Sequence, residues 1–245
     1  MRRRRDDDRD SVPDNYSPDT AGDALHAAES YVTASADTGR SCDASGKKFS
    51  PTLKALCCWG EKFALIRPES EFEFFNRAPD GYGDEHQAWF EEKSGLWFKA
   101  TYPHRFGLAW GRRGSATARQ YLTRLILQNN YFGDDIRLIA LVNAGGKLRI
   151  LISQPHVAGE PARYDDIQDW FGFLGFARLD SEGSIAWYLE EENLLVADAH
   201  EGNVIRASSR IGTTVLLPID LNLVQPNGDL LEGVKTLLAD ASLPL

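Results

Sequence analysis

A chain of 245 residues with 42% hydrophobic and 11% aromatic content can bury a sizeable core, which excludes a wholly disordered protein. Its 36 acidic against 27 basic residues leave a net charge of −9, which excludes a nonspecific grip on nucleic-acid phosphates as the main activity. No apolar run approaches the roughly 18 residues that span a bilayer, so the expected protein is soluble, with no membrane partner and no direct nucleic-acid partner.

In chain order, residues 1–22 open with Arg2 to Arg5, answered at once by Asp6, Asp7, Asp8 and Asp10. With almost nothing to bury, this segment is expected to be a disordered charged tail, and it lacks the apolar stretch of a secretory signal. Residues 23–68 read as a helical segment, with Ala24, Leu25, Ala28 and Tyr31 on one side and Leu53, Leu56, Cys57 and Phe63 later. The three cysteines, Cys42, Cys57 and Cys58, form no CxxC pair for zinc. Adjacent cysteines rarely bridge each other, and a reducing cytoplasm is the expected compartment.

Residues 69–153 carry strand signals from Pro68 onward: Phe72, Phe74 and Phe75, the turn APDGYGDE, then HQAWFEE, a KSG turn and LWFKAT. SATARQYLTRLILQNNYF is helical in spacing, with Ser115 as candidate cap, and the strands IRLIALV and LRILISQ follow around NAGGK. Residues 154–245 begin with the break PHVAGEP and the helix YDDIQDWFGFLGF. Short strands are expected at IAWYL, LLVAD, NVIRA and TVLLPIDL, and DLLEGVKTLLAD is a closing helix.

The chemistry concentrates in LLVADAHEGNVI, where Asp198 and Asn203 have the D-x-x-x-x-N spacing of a phosphoryl-transfer loop. One carboxylate must reach the acceptor hydroxyl while an amide oxygen ligates magnesium, and a short loop between two strands can present both. Asp220 follows the apolar strand in VLLPIDL, where a second hard oxygen ligand for Mg2+ is expected. Lys99, in the middle of LWFKAT, needs an anionic partner, for which phosphate is suitable. Gly81 and Gly83 precede that strand and can let backbone amides approach phosphates. The dispersed histidines lack ligand spacing, and the tryptophans fall on apolar faces.

Together, GYGDEHQAWFEEKSGLWFKAT, YLTRLILQNNYFGDDIRL, LISQPHVAGEPA, FLGF, DAHEGNVI and PIDLNLVQP resemble the kinase domain of bacterial and phage polyvalent proteins, over about Glu71 to Leu238. The resemblance implies an α+β, two-lobed protein-kinase-like fold, with a five-strand antiparallel N-lobe sheet over 69–153 and a reduced C-lobe over 154–245. It implies ATP and Mg2+ as cofactors, Lys99 for phosphate binding, Asp198 as catalytic base, and Asn203 and Asp220 as metal ligands. Gln154, with Pro155, matches the hinge whose backbone reads the adenine edge, and His200 and Gly202 resemble the H-x-G-N loop of small-molecule phosphotransferases.

The pattern departs from that family in one helix. Between Arg112 and Gly133 there is no acidic residue, so the usual glutamate partner of the lysine is lacking; Gln128, Asn129, Asp134 and Asp135 are the candidate substitutes. The expected activity is transfer of the γ-phosphoryl group of ATP to a hydroxyl of an unknown protein or small molecule. A noncatalytic nucleotide-binding module and AMP transfer on the same fold are the alternatives.

Overall fold

The computed structural model describes residues 15, 17–21, 23–38, 50–107, 109–110, 115–181, 184–208 and 212–241. Most of the expected charged tail thus lies outside the described residues. The chain divides into two compact units, residues 1–126 with 135–155 and residues 127–134 with 156–245.

The first unit begins with helices α1 (Pro18–Ala21), α2 (Ala24–Thr38) and α3 (Pro51–Lys62). Ser50 caps α3 by accepting a hydrogen bond from the Leu53 amide at 3.3 Å, and Pro51 occupies the first turn, where a missing N–H costs nothing. The strands β1 (Ile66–Pro68), β2 (Gly81–Tyr82), β3 (His86–Glu91) and β4 (Leu96–Thr101) precede α4 (Ala118–Phe132), and β5 (Arg137–Ala144) and β6 (Lys147–Pro155) follow it.

These strands form a six-stranded sheet in the order β1-β5-β6-β4-β3-β2. The expected five-strand antiparallel sheet is therefore corrected: β2 to β6 are antiparallel, and β1 adds a sixth strand parallel to β5. β1 follows directly on α3, and a three-residue strand is too short for an alternating pattern to announce.

Each face of the sheet has its own core. On one, Leu25, Tyr31, Leu56 and Trp59 of α2 and α3, with Tyr121, Leu122 and Leu125 of α4, pack on Leu138, Leu141, Ile150 and Ile152. A register shift between Leu138 and Ala140 lets both Leu138 and Leu141 meet the helices. On the other face, Trp89, Ala140, Val142 and Leu151 are covered by Phe72, Phe74 and Phe75. Those phenylalanines lie in or beside two 3-10 turns, Glu69–Glu71 and Glu73–Asn76, and are not strand residues as expected. Consecutive Phe74 and Phe75 stand 4.8 Å apart and both meet Trp89, at 5.4 and 4.9 Å, which alternating strand geometry cannot deliver. Arg149 fastens this cap: its guanidinium lies over the Phe75 and Trp89 rings and pairs with Glu69 at 2.9 Å.

Cys57 and Cys58 do not bridge each other. Cys57 is a free thiol that burial, reinforced by the charge of Glu61, pushes up to about 11. Cys58 is disulfide-bonded, unlike the reduced state implied by the expected compartment.

The second unit contains β7 (Glu160–Pro161), α5 (Tyr164–Phe173), β8 (Ala177–Ser181), β9 (Ser184–Leu189), β10 (Leu194–Ala197), β11 (Val204–Ser208), β12 (Thr214–Pro218), β13 (Asn222–Val224) and α6 (Gly228–Ala241). Its strands form two antiparallel sheets, β13-β10-β9-β8 and β12-β11-β7. Phe171 of α5 stacks on Trp187 at 4.9 Å within a core of Ile167, Leu194, Val196, Val204, Leu221 and Leu223. Leu127, on the last turns of α4, joins this core. Among the described residues no helix is long and apolar enough to cross a membrane.

Candidate active site

In the first unit, the register places Gly81, Ala88, Lys99, Ile152 and Leu138 in one row across five strands. Directly paired residues share a face, so Lys99 lies on the face whose apolar residues meet α2, α3 and α4. The neighbouring row confirms the side: His86, paired with Thr101, comes within 2.7 Å of the Tyr121 hydroxyl of α4. Gln154 lies two positions beyond Ile152 on the same face, buried and paired with Trp97. Gly81 and Lys99 are thus one row, and Gln154 the next but one position along β6.

The turn between β2 and β3 contains Gly83, whose amide donates to the His86 carbonyl at 2.9 Å. No atom would lie within 4 Å of a Cβ at Gly83, so the space above its backbone is open. Glu85, two residues beyond Gly83, is held by the buried Arg124 of α4 through a paired contact, one arm of which measures 2.8 Å. A Cβ at Gly107 would strike that carboxylate, and Gly107 has φ +84°, so glycine is required there twice over. The helix without acidic residues therefore contributes a cation to the glycine turn's end. Helix α4 starts at Ala118, and its cap is Thr117, where Ser115 was expected. Gln120 N donates to Thr117 Oγ1 at 3.2 Å and Thr117 N donates to Gln120 Oε1 at 2.8 Å, a reciprocal box.

In the second unit, residues 198–203 connect β10 to β11, so Asp198 and Asn203 stand at the two ends of one short loop. The loop is self-tied. Asn203 Nδ2 donates to the Asp198 carbonyl at 2.9 Å and to Asp198 Oδ2 at 3.1 Å, and the His200 amide donates to the same carbonyl at 3.1 Å. Asp198 has φ +62°, a conformation that Asp tolerates better than most residues and that three hydrogen bonds hold in place. Its carboxylate remains 62% exposed. His200 Nδ1 accepts from the Gly202 amide at 3.0 Å, so the neutral ring carries its proton on Nε2, 3.5 Å from Asp198 Oδ1. A Cβ at Gly202 would lie 2.9 Å from the His200 ring, which explains the glycine before Asn203.

Asp220 is brought to this loop through the backbone. Val204 pairs with Pro218, and the Ile219 amide donates to the Asn203 carbonyl at 2.9 Å, so Asp220 follows the residue bonded to Asn203. On its other side, the Leu221 amide donates to Gln128 Oε1 at 3.2 Å, while Gln128 Nε2 donates to Asp134 Oδ2 at 2.7 Å. Gln128, a candidate partner for Lys99, is therefore committed to Asp134 and Leu221. Asp135 pairs with Arg137 at 2.8 Å.

The donors suit a hard cation. Asn203 Oδ1 and the Asp220 carboxylate are hard oxygen donors, the kind that Mg2+ prefers. Among the described residues no group of three or more His, Cys, Asp or Glu forms a metal cage. A cation here would thus take few protein ligands and the remainder from a phosphate or water, which is the habit of Mg2+ and not of a structural zinc.

Sequence reasoning missed Glu85, Arg124 and Tyr121. Their signal was a single arginine and tyrosine at helical spacing on α4 and a carboxylate beside the glycine turn, separated too far in sequence for any local motif. Neither a curated protein nor a solved structure matches the chain. One family model does match, over residues 110–216, a span narrower than Glu71 to Leu238 that includes Gln154, Asp198 and Asn203 and stops short of Gly81, Gly83, Lys99 and Asp220. The segment 110–216 thus matches the family described as a serine/threonine/tyrosine kinase found in polyvalent proteins, the family that the sequence resembles.

Proposed function

We propose that the chain is an ATP- and Mg2+-dependent phosphotransferase that moves the γ-phosphoryl group to a hydroxyl of a protein or small molecule. The observation that carries this reading is the loop from Asp198 to Asn203, joined through the Ile219 amide to the segment bearing Asp220. Its exposed carboxylate and inward-tied amide divide the labour that phosphoryl transfer requires.

Asp198, whose side chain is 62% exposed, accepts the hydrogen bond of the acceptor hydroxyl and orients it. Asn203 and Asp220 are the residues that would hold Mg2+, which when bound supplies charge neutralisation on the phosphates. Lys99 pairs with phosphate oxygens, the backbone around Gly81 and Gly83 donates to them, and the backbone at Gln154 reads the adenine edge. These groups lower the barrier by positioning and electrostatics, with little covalent chemistry asked of the protein.

One observation favours a second reading, a noncatalytic nucleotide-binding module. Helix α4 carries no acidic side chain and gives its Arg124 to Glu85. Thermal shift with Mg·ATP and Mg·ADP, followed by γ-phosphoryl transfer assays, separates the two. Stabilisation with turnover is expected; stabilisation without turnover selects the module, and no stabilisation removes both. Mass spectrometry of the product distinguishes phosphate from AMP.

A further inference from the structure

The proposed metal ligand Asp220 sits in the bend between β12 and β13, and its position depends on the two amides that flank it. The preceding amide, of Ile219, is fixed by the Asn203 carbonyl, the backbone of the other proposed ligand. The following amide, of Leu221, is fixed by the Gln128 side chain, and Gln128 is only 2% exposed. A buried primary amide has two ends, and only one orientation suits a backbone N–H donor. Asp134 selects that orientation by accepting from Nε2, which leaves Oε1 for Leu221.

We propose, on the basis of the phosphotransferase reading, that Gln128 is a positioning residue for the metal site. Through Leu221 it sets where the Asp220 carboxylate stands relative to Asn203, and Asp134 keys its orientation. The loss of the helix glutamate is thus accompanied by a neutral helix side chain with a different task, the support of a ligand and not of Lys99. Residues behind metal ligands typically change metal affinity by about 10- to 100-fold when removed, and a change of that size is expected here.

The role makes a prediction about charge that a packing role does not. Gln128→Glu sets a carboxylate against Asp134 and should weaken the site. Adding Asp134→Asn reverses the direction of the hydrogen bond: the new carboxylate accepts from the Asn amide and still accepts from Leu221. The double variant should therefore recover most of what Gln128→Glu loses. Gln128→Met keeps the shape and removes both hydrogen bonds.

The experiment is a Mg2+ titration of nucleotide turnover for the full chain and these variants, with thermal unfolding run alongside and with direct Mn2+ binding beside a non-hydrolysable ATP analogue, read by electron paramagnetic resonance, expected to weaken and recover in the same order. In folded Gln128→Met, half-maximal activity should require about tenfold more Mg2+ or beyond, and the Gln128→Glu/Asp134→Asn pair should return toward the parent value. A parent-like Mg2+ requirement in Gln128→Met, or no recovery in the folded double variant, overturns the positioning role. If Gln128→Met does not fold, the comparison of Gln128→Glu with the double variant decides. A parent protein with no Mg2+-dependent turnover overturns the phosphotransferase reading, and this role with it.

Discussion

Asp198 has a backbone conformation that an L-residue adopts at some cost, and the hydrogen bonds from Asn203 and His200 hold it there. In the proposed phosphotransferase, that arrangement would present the carboxylate to the acceptor hydroxyl. Asp198→Ala should lower phosphoryl transfer by about 10²- to 10⁴-fold, the usual worth of a positioned acid–base group, while nucleotide affinity changes little. Equal turnover by the purified variant would remove the catalytic role. Gly202→Ala pushes a methyl group toward the His200 ring, and transfer should fall because Asn203 is the next residue. Away from the site, Cys57 gives a pH prediction. Its folded pKa is raised, so its contribution to stability is full below the ordinary thiol value and is lost as pH rises toward 11. Alkylation of Cys57 at pH 8 should be much slower in the folded protein than in urea, and equal rates would show that the thiol is not buried.

At the scale of elements, α4 is where the protein differs most from expectation. Its apolar positions were legible because Leu122, Leu125 and Ile126 recur at helical spacing. Its polar contacts were not, because Arg124 meets a residue in a turn and Gln128 meets Leu221, and no local spacing encodes either pair. The Arg124–Glu85 pair is largely buried, with side chains 7% and 16% exposed, so removing one partner leaves a charge without its counterion. Arg124→Met should destabilise the first unit by about 3–5 kcal/mol, and adding Glu85→Gln should recover part of that loss. Chemical denaturation of the two variants measures it; a single variant as stable as the parent would contradict the assigned burial. The strands β3, β4, β5 and β6 were readable from alternation and turn residues. The aromatic 3-10 segment was misread because Phe72, Phe74 and Phe75 look like strand residues until consecutive Phe74 and Phe75 are seen to meet Trp89 together.

For the molecule as a whole, short local segments were more legible than the architecture. The D-x-x-x-x-N stretch was expected as a loop between two strands, and the structure has that loop, because the whole of it lies within a few consecutive residues. The six-stranded sheet and the two-sheet second unit depend on pairings between distant segments, which composition and periodicity do not specify. Residues 23–68 likewise read only as a helical segment, and Leu25, Leu56 and Trp59 belong to the main core of the first unit.

In the proposed phosphotransferase, Asn203 and Asp220 hold one divalent cation together with a nucleotide. Electron paramagnetic resonance of Mn2+ titrated into the full chain with a non-hydrolysable ATP analogue measures this directly. One nucleotide-dependent Mn2+ site is expected, lost in Asp220→Ala and weakened in Asn203→Ala. The same number of sites with the same affinity in Asp220→Ala would contradict it.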